Sequence, residues 1–231
     1  RLLRAAKALK LVEERGRGRF GLGQLGAAMV DNPGIAAMVE HHTMLYADLA
    51  DPLKLLQGEA GETELMRFWR YARADEPGAV PPESVAAYSR LMAASQGLVS
   101  AEILASYKLR KHRRLLDLGG GDGTFLMAVA KAAPALELRL FDLPPVAARA
   151  QARFAEAGIA GRASAHGGDF HKDALPEGAD IVSLVRVIHD HDDAAALAIL
   201  RRAREALPAG GTLLLAEPMA GTAGAEASGD A

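Results

Sequence analysis

The chain has 231 residues, half of them hydrophobic and about a quarter charged, which suits a globular protein of one large or two ordinary domains. A formal net charge of -2 excludes a global positive field that would gather nucleic acid or an anionic membrane. There is no cysteine, so disulfides, thiolate nucleophiles and Cys-ligated zinc are excluded, and a cytoplasmic location is expected.

No run approaches the roughly 18–20 apolar residues that span a bilayer. Residues 1 to about 40 read as helix, hairpin, helix. Leu2, Leu3, Ala6 and Leu9 make an apolar face. Gly16 and Gly18 then sit at the tip of a hairpin that carries Arg15, Arg17 and Arg19, the pattern of a winged helix. Asn32-Pro33 opens the next helix, with Ile35, Met38, Val39, His42 and Leu45 on its apolar side and a stop or kink at Asp51-Pro52. On that side His42 is expected either as a core residue or as a wall of a substrate pocket. A long helix is expected over about 83–107, where Met92 and Gln96 are candidates for core packing or for lining the same pocket. The basic run 108–114 is the expected domain boundary, giving domains 1–108 and 109–231.

From Leu115 the period changes. Strands are expected over 115–118, 136–142, 163–166, 180–185 and 212–217. Helices are expected over 124–133, 146–157 and 193–206. Strands alternating with helices predict an α/β, doubly wound, mostly parallel sheet of Rossmann type behind a mainly α-helical first domain. Ligands of such sheets bind beyond the C-terminal strand ends.

Unusual residues cluster at those ends. Asp117-Leu118-Gly119-Gly120-Gly121-Asp122-Gly123 follows the first strand, and glycines there let a ligand approach the main chain. Gly119 and Gly121 are candidate ligand contacts. Asp117 is either a contact or a brace for the turn through backbone amides. Asp142 closes the second strand, 23 positions after Gly119, where a carboxylate accepts from both hydroxyls of a ribose. The turn lacks the full dinucleotide spacing and a P-loop lysine, so a nucleoside without phosphate, such as S-adenosylmethionine, fits better. Gly168-Asp169-Phe170 after the third strand offers an acceptor for an adenine amino group and a ring to cover it. A plain turn remains the alternative.

His189-Asp190-His191-Asp192-Asp193 follows the fourth strand. Neighbouring loop residues rarely all face one ion, so no metal is expected, and Asp193 reads as a helix N-cap. His189 is the candidate general base for methyl transfer to an alcohol oxygen, and Glu217 is the carboxylate that orients it. His191 reads as a surface or supporting residue. A DNA-binding winged helix, with the arginine-tipped hairpin on phosphate, is the competing reading; the near-neutral charge argues against nucleic acid as a partner.

With these residues in place, the chain resembles the class I O-methyltransferases that carry an N-terminal winged-helix dimerisation domain. The likeness rests on 117–123, on Asp142-Leu143-Pro144, on Gly168-Asp169-Phe170, on Arg186-Val187-Ile188-His189-Asp190, and on Leu207-Pro208 through Glu217. It implies S-adenosylmethionine as cofactor, His189 as base with Glu217 assisting, Arg186 among the cofactor contacts, no metal, and a homodimer whose first domains intertwine and cover the substrate. Met38-Val39-Glu40-His41-His42, Met92-Ala93-Ala94-Ser95-Gln96 and 216–221 resemble the demethylspheroidene branch of carotenoid biosynthesis, as does His191 where most of the family has Trp. That likeness implies a hydrophobic acceptor with a tertiary hydroxyl and, at most, peripheral membrane contact. Aromatic or polyketide acceptors are the alternative. The family continues beyond the fifth strand, so this chain is expected to be cut from a longer one.

Overall fold

The computed structural model describes residues 1–68 and 95–219, which fall into two compact units, Arg1–Arg67 and Phe68–Ala231. In the first unit, helix α1 (Leu2–Ala8) leads into an antiparallel hairpin of β1 (Val12–Glu14) and β2 (Phe20–Leu22), followed by α2 (Gln24–Met29). The hairpin tip turns on Gly16 and Gly18, both at positive φ. Helix α3 (Pro33–Asp48) begins where the Asn32 side chain accepts from the Ile35 amide and Pro33 occupies the first turn. Asp51 and Pro52 repeat the device for α4 (Pro52–Leu56), and α5 (Glu64–Phe68) closes the unit.

The buried side of α3 is displaced by one residue from the expected one. Gly34 and His41 are buried, while His42 is exposed and its Nδ1 lies 2.6 Å from the Met38 carbonyl oxygen. A three- or four-residue step from Gly34 and Met38 reaches His41, so that histidine takes the core position assigned to its neighbour.

The second unit is built on a five-stranded sheet in the order β5-β4-β3-β6-β7, every pairing parallel. Its strands are β3 (Arg114–Leu118), β4 (Glu137–Asp142), β5 (Ala163–Gly167), β6 (Ile181–Val185) and β7 (Thr212–Ala216). Helix α6 (95–106) precedes the sheet; α7 (Thr124–Ala132), α8 (Pro144–Glu156) and α9 (Asp193–Ala206) connect the strands. Leu115, Phe125, Leu138, Leu140 and Phe154 form a core on one face, and Leu116, Leu118, Val182, Leu184 and Ile199 one on the other. Each fully buried Leu or Phe contributes about 1.5–3 kcal/mol, so the central strands are the stable floor of the unit.

The expected doubly wound sheet is present, and its strand order reverses at β3, between β4 and β6. That reversal leaves a crevice above the C-terminal ends of β3 and β6. Two details differ from expectation. The unit boundary lies at 67/68 and not at 108/109, because Ile103, Val99 and Tyr107 of the α6 region pack into the sheet's own core. The N-cap of α9 is Asp192, whose carboxylate accepts from the Ala195 amide at 2.8 Å; Asp193 is the first helical residue.

Candidate functional site

The glycine turn joins β3 to α7 at the crevice. Gly120 lies against Asp117 so closely that a Cβ there would fall 2.6 Å from Asp117 Oδ2. Gly121 is at φ +61, and its amide donates to Asp142 Oδ2 at 2.8 Å. The Leu143 amide donates to the other oxygen at 2.7 Å. Asp142 at the end of β4 thus holds the turn of the neighbouring strand, while each oxygen keeps a further lone pair for a ligand. Burial pushes its carboxyl up to about 6, against the pull of the two amides and Arg149.

Asp117 does not brace the turn through backbone amides. Its Oδ1 accepts from the Ser183 hydroxyl at 2.6 Å, and both side chains are buried. No donor among the described residues reaches Oδ2. Burial pushes this carboxyl up to about 7; the Ser183 hydroxyl opposes the shift and the Asp142 charge adds to it.

The third strand end is drawn into the same place. The Gly168 amide donates to the Asp142 carbonyl oxygen at 2.9 Å. Asp169 accepts from the His171 amide at 2.8 Å and pairs with Lys172 at 3.3 Å. Burial disfavours its charge, yet the amide and Lys172 outweigh that and hold its carboxyl low. Phe170 stands over the turn, with Cε1 3.8 Å from where a Gly119 Cβ would lie. Its ring meets His171 at 4.8 Å and His191 at 6.0 Å between centroids, both edge-on. His191 is accordingly half-buried in an aromatic cluster, where burial and the neighbouring His171 lower its pKa.

Beyond β6 the chain makes a short 3-10 turn over Ile188–Asp190. The Glu217 carboxylate, only 5 % exposed, accepts from the Val187 and Ile188 amides through Oε1, both at 2.8 Å, and lies 2.7 Å from His189 Nδ1 through Oε2. Burial resists the charge on Glu217, but the imidazole and the two amides hold its carboxyl below the usual range. The bond to Glu217 raises the His189 pKa against partial burial, with Asp190 helping and Arg186 opposing. Nε2 faces Asp190 Oδ1 at 3.6 Å, beyond hydrogen-bond length. Val187 connects the two halves of the rim: its Cγ2 would lie 2.9 Å from a Gly119 Cβ, and its amide is held by Glu217.

Arg186 sits at φ +58, a left-handed conformation costly for any residue that carries a Cβ. Its guanidinium donates to Ser95 Oγ on α6 at 2.7 Å, next to Gln96. Such strain persists only where the surroundings hold it, here including the Arg186 amide bond to the Ala216 carbonyl. Met92 lies outside the described residues, and His42 belongs to the other unit. Ser183 carried no signal in the sequence, and Ser95 stood out only as part of the 92–96 likeness. A serine inside Ile181-Val182-Ser183-Leu184-Val185 is a hydroxyl in an apolar strand, which marks a buried partner only once Asp117 is known to lie beside it.

A family model of the O-methyltransferase domain matches residues 46–230. The demethylspheroidene O-methyltransferase of Cereibacter sphaeroides is 53% identical over 96% of this chain and 58% of its own length. The enzyme of the same name from Rhodobacter capsulatus is 44% identical over 96% of this chain and 54% of its own. The chain therefore spans just over half the length of these curated relatives. Among solved structures, the O-methyltransferase NcsB1 from neocarzinostatin biosynthesis, in complex with S-adenosylmethionine and 2-hydroxy-5-methyl naphthoic acid, superposes with a TM-score of 0.66 at 31% identity, over 95% of this chain and 68% of that one.

Proposed function

We propose that this chain, which belongs to the O-methyltransferase family, forms the cofactor site and proton-abstracting site of an enzyme that methylates a hydroxyl oxygen from S-adenosylmethionine. The observation that carries the reading is the 2.7 Å contact between His189 Nδ1 and Glu217 Oε2, with Glu217 pinned by two backbone amides. A carboxylate acceptor fixes the proton on Nδ1 and leaves Nε2 with its lone pair toward the rim. Glu217 also steadies the imidazolium that forms when Nε2 takes a proton.

The residues of the turn fit the cofactor. Asp142 has spare acceptor capacity for ribose hydroxyls, Phe170 offers a face above Gly119, and Asp117 Oδ2 is a buried acceptor in want of a donor. Asp169 and Gly168 would meet the adenine end, and Arg186 flanks the same rim. Bound there, S-adenosylmethionine supplies an electrophilic methyl on a sulfonium. His189 Nε2 removes the acceptor's hydroxyl proton as the oxygen–carbon bond forms and the sulfur–carbon bond breaks; the proton then leaves to solvent. No metal enters this reading, in which the imidazole itself takes the proton.

For the acceptor we favour the tertiary 1-hydroxyl of an acyclic carotenoid. The support is the identity to the two demethylspheroidene O-methyltransferases, together with a chain in which Phe, Trp and Tyr are 5% of residues, suited to a pocket for an aliphatic chain. Gln96 is the pocket residue this reading nominates in the unit that holds the site, within a homodimer that meets a membrane only at its surface. No helix among the described residues is long and apolar enough to cross one. The arginine-tipped hairpin is read as a solvated wing and not a nucleic-acid contact, Arg15 being bonded to Glu13 at 2.9 Å. Radiolabelled methyl transfer to hydroxylated carotenoid, catechol and naphthoate acceptors tests the choice. Turnover of the carotenoid above the others supports it, and exclusive turnover of an aromatic acceptor refutes it.

A further inference from the structure

We propose that Arg186 and Ser95 are positioning residues for the proton-abstracting pair: the guanidinium, anchored on the Ser95 hydroxyl of α6, holds the Arg186 backbone in the left-handed conformation that aims the Val187 and Ile188 amides at Glu217. The inference rests on the reading of His189 as base and adds to it the residues that fix its carboxylate.

Strands β6 and β7 stay in register to Val185 and Ala216, and the Arg186 amide makes one further rung, to the Ala216 carbonyl at 2.9 Å. In a continued strand the next amides would point to opposite sides. Instead Arg186 takes φ +58, and Val187 follows at φ −119 and ψ −49. A left-handed residue followed by a right-handed one turns successive amides toward one point, a concavity that suits an anion. The Val187 and Ile188 amides both reach Glu217 Oε1 at 2.8 Å, which leaves Oε2 for His189 Nδ1 at 2.7 Å. The orientation of the base therefore depends on the backbone of a residue three positions before it.

Glycine takes that conformation freely, whereas a residue with a Cβ keeps it only when held. The hold supplied by the side chain is the 2.7 Å bond from Arg186 Nη1 to Ser95 Oγ. Ser95 is buried, and Val99, Ile103 and Tyr107 pack the α6 region into the core of the sheet, so the hydroxyl is a stationary anchor. Arg186 also acts through its charge. At His189 the bond to Glu217 is the largest influence and raises the pKa against partial burial; Asp190 adds to it, and the Arg186 charge, the smallest influence, opposes it. Loosening the turn thus lowers the His189 pKa, losing the positive charge raises it, and the first effect is the larger.

NMR titration of the His189 ring, its resonance assigned by its loss in His189→Ala, follows the pair without requiring turnover. Ser95→Ala keeps the charge and removes the anchor. Its His189 should titrate about one pH unit below that of wild type, the scale of a hydrogen bond to a charged group. Methyl transfer should fall about tenfold or more, as when a catalytic group is displaced. Arg186→Met and Arg186→Gly lose the same charge and the same anchor, and only the first keeps a Cβ. His189 should titrate at lower pH in the Met variant than in the Gly variant, whose left-handed turn carries no strain. This second pair carries the test if Ser95→Ala does not fold by circular dichroism. Equal titration of wild type and Ser95→Ala, or of the two Arg186 variants, overturns the positioning role. Full methyl transfer by His189→Ala overturns the base reading itself, and this inference with it.

Discussion

His189 Nδ1 and Glu217 Oε2 are 2.7 Å apart, and the carboxylate that makes this contact is tied by its other oxygen to the Val187 and Ile188 amides. The histidine's orientation is thus set by the backbone of its own loop, through a residue contributed by the neighbouring strand end.

Replacing Glu217 by Gln keeps the shape and removes the charge. The amide cannot stabilise imidazolium, and with its oxygen kept on the two backbone amides its NH2 faces Nδ1 and favours the tautomer whose Nε2 carries the proton. Transfer should fall by roughly 10²-fold or more, as when an orienting carboxylate is neutralised in other His-based sites. The pH profile supplies a second reading. A base acts deprotonated, so kcat/KM of the wild type should rise with pH through a pKa above the ordinary histidine value, because Glu217 raises it. In Glu217→Gln that limb should move to lower pH. An unmoved limb would detach it from His189.

Asp142 holds the Gly121 amide and, in the proposed reading, also offers acceptors to a ribose. Asp142→Asn should weaken S-adenosylhomocysteine binding about 10- to 100-fold, the scale of lost hydrogen bonds to a charged group, while the sheet stays folded by circular dichroism. Unchanged affinity in calorimetry would remove Asp142 from the cofactor site.

Gly120→Ala tests the close approach beneath the turn. A methyl there meets Asp117 Oδ2 at 2.6 Å and Leu140 at 2.8 Å, in a part of the core with no room to give. Overpacking of this kind costs about 1–3 kcal/mol, so Tm should drop measurably, and cofactor affinity should fall with it. An equally stable variant would contradict the packing described.

Asp117 predicts how stability responds to pH. Its carboxyl is raised to about 7 in the folded state, above the unfolded value. The stabilisation from its protonated form is complete below the unfolded pKa and is lost as pH rises through about 7. Without ligand, Asp117→Asn should flatten the decline in Tm between mildly acidic and mildly alkaline pH. A decline as steep as in wild type would show that Asp117 does not titrate there.

Much of this was legible before any coordinates. Alternating strands and helices, the glycine turn and the carboxylates at successive strand ends follow from periodicity and from residue types with few structural alternatives. Some unread parts depend on a partner distant in sequence. Ser183 has meaning only beside Asp117, 66 positions away, and Arg186 reaches Ser95 across 91. His41 and His42 are adjacent on a helix of weak amphipathic contrast, where a shift of one residue decides which is buried. The boundary expected at 108/109 followed a basic run, whereas packing of Ile103 and Tyr107 carries the preceding helix into the sheet domain. Met92 lies outside the described residues, so its place in a pocket stays with the sequence reading.

In the proposed mechanism His189 removes the acceptor proton in a site that binds the cofactor independently of it. Transfer of labelled methyl from S-adenosylmethionine by wild type and His189→Ala, with calorimetric S-adenosylhomocysteine binding on the same samples, tests this directly. Transfer should fall roughly 10²- to 10⁴-fold with binding unchanged. Full transfer activity in His189→Ala would contradict it.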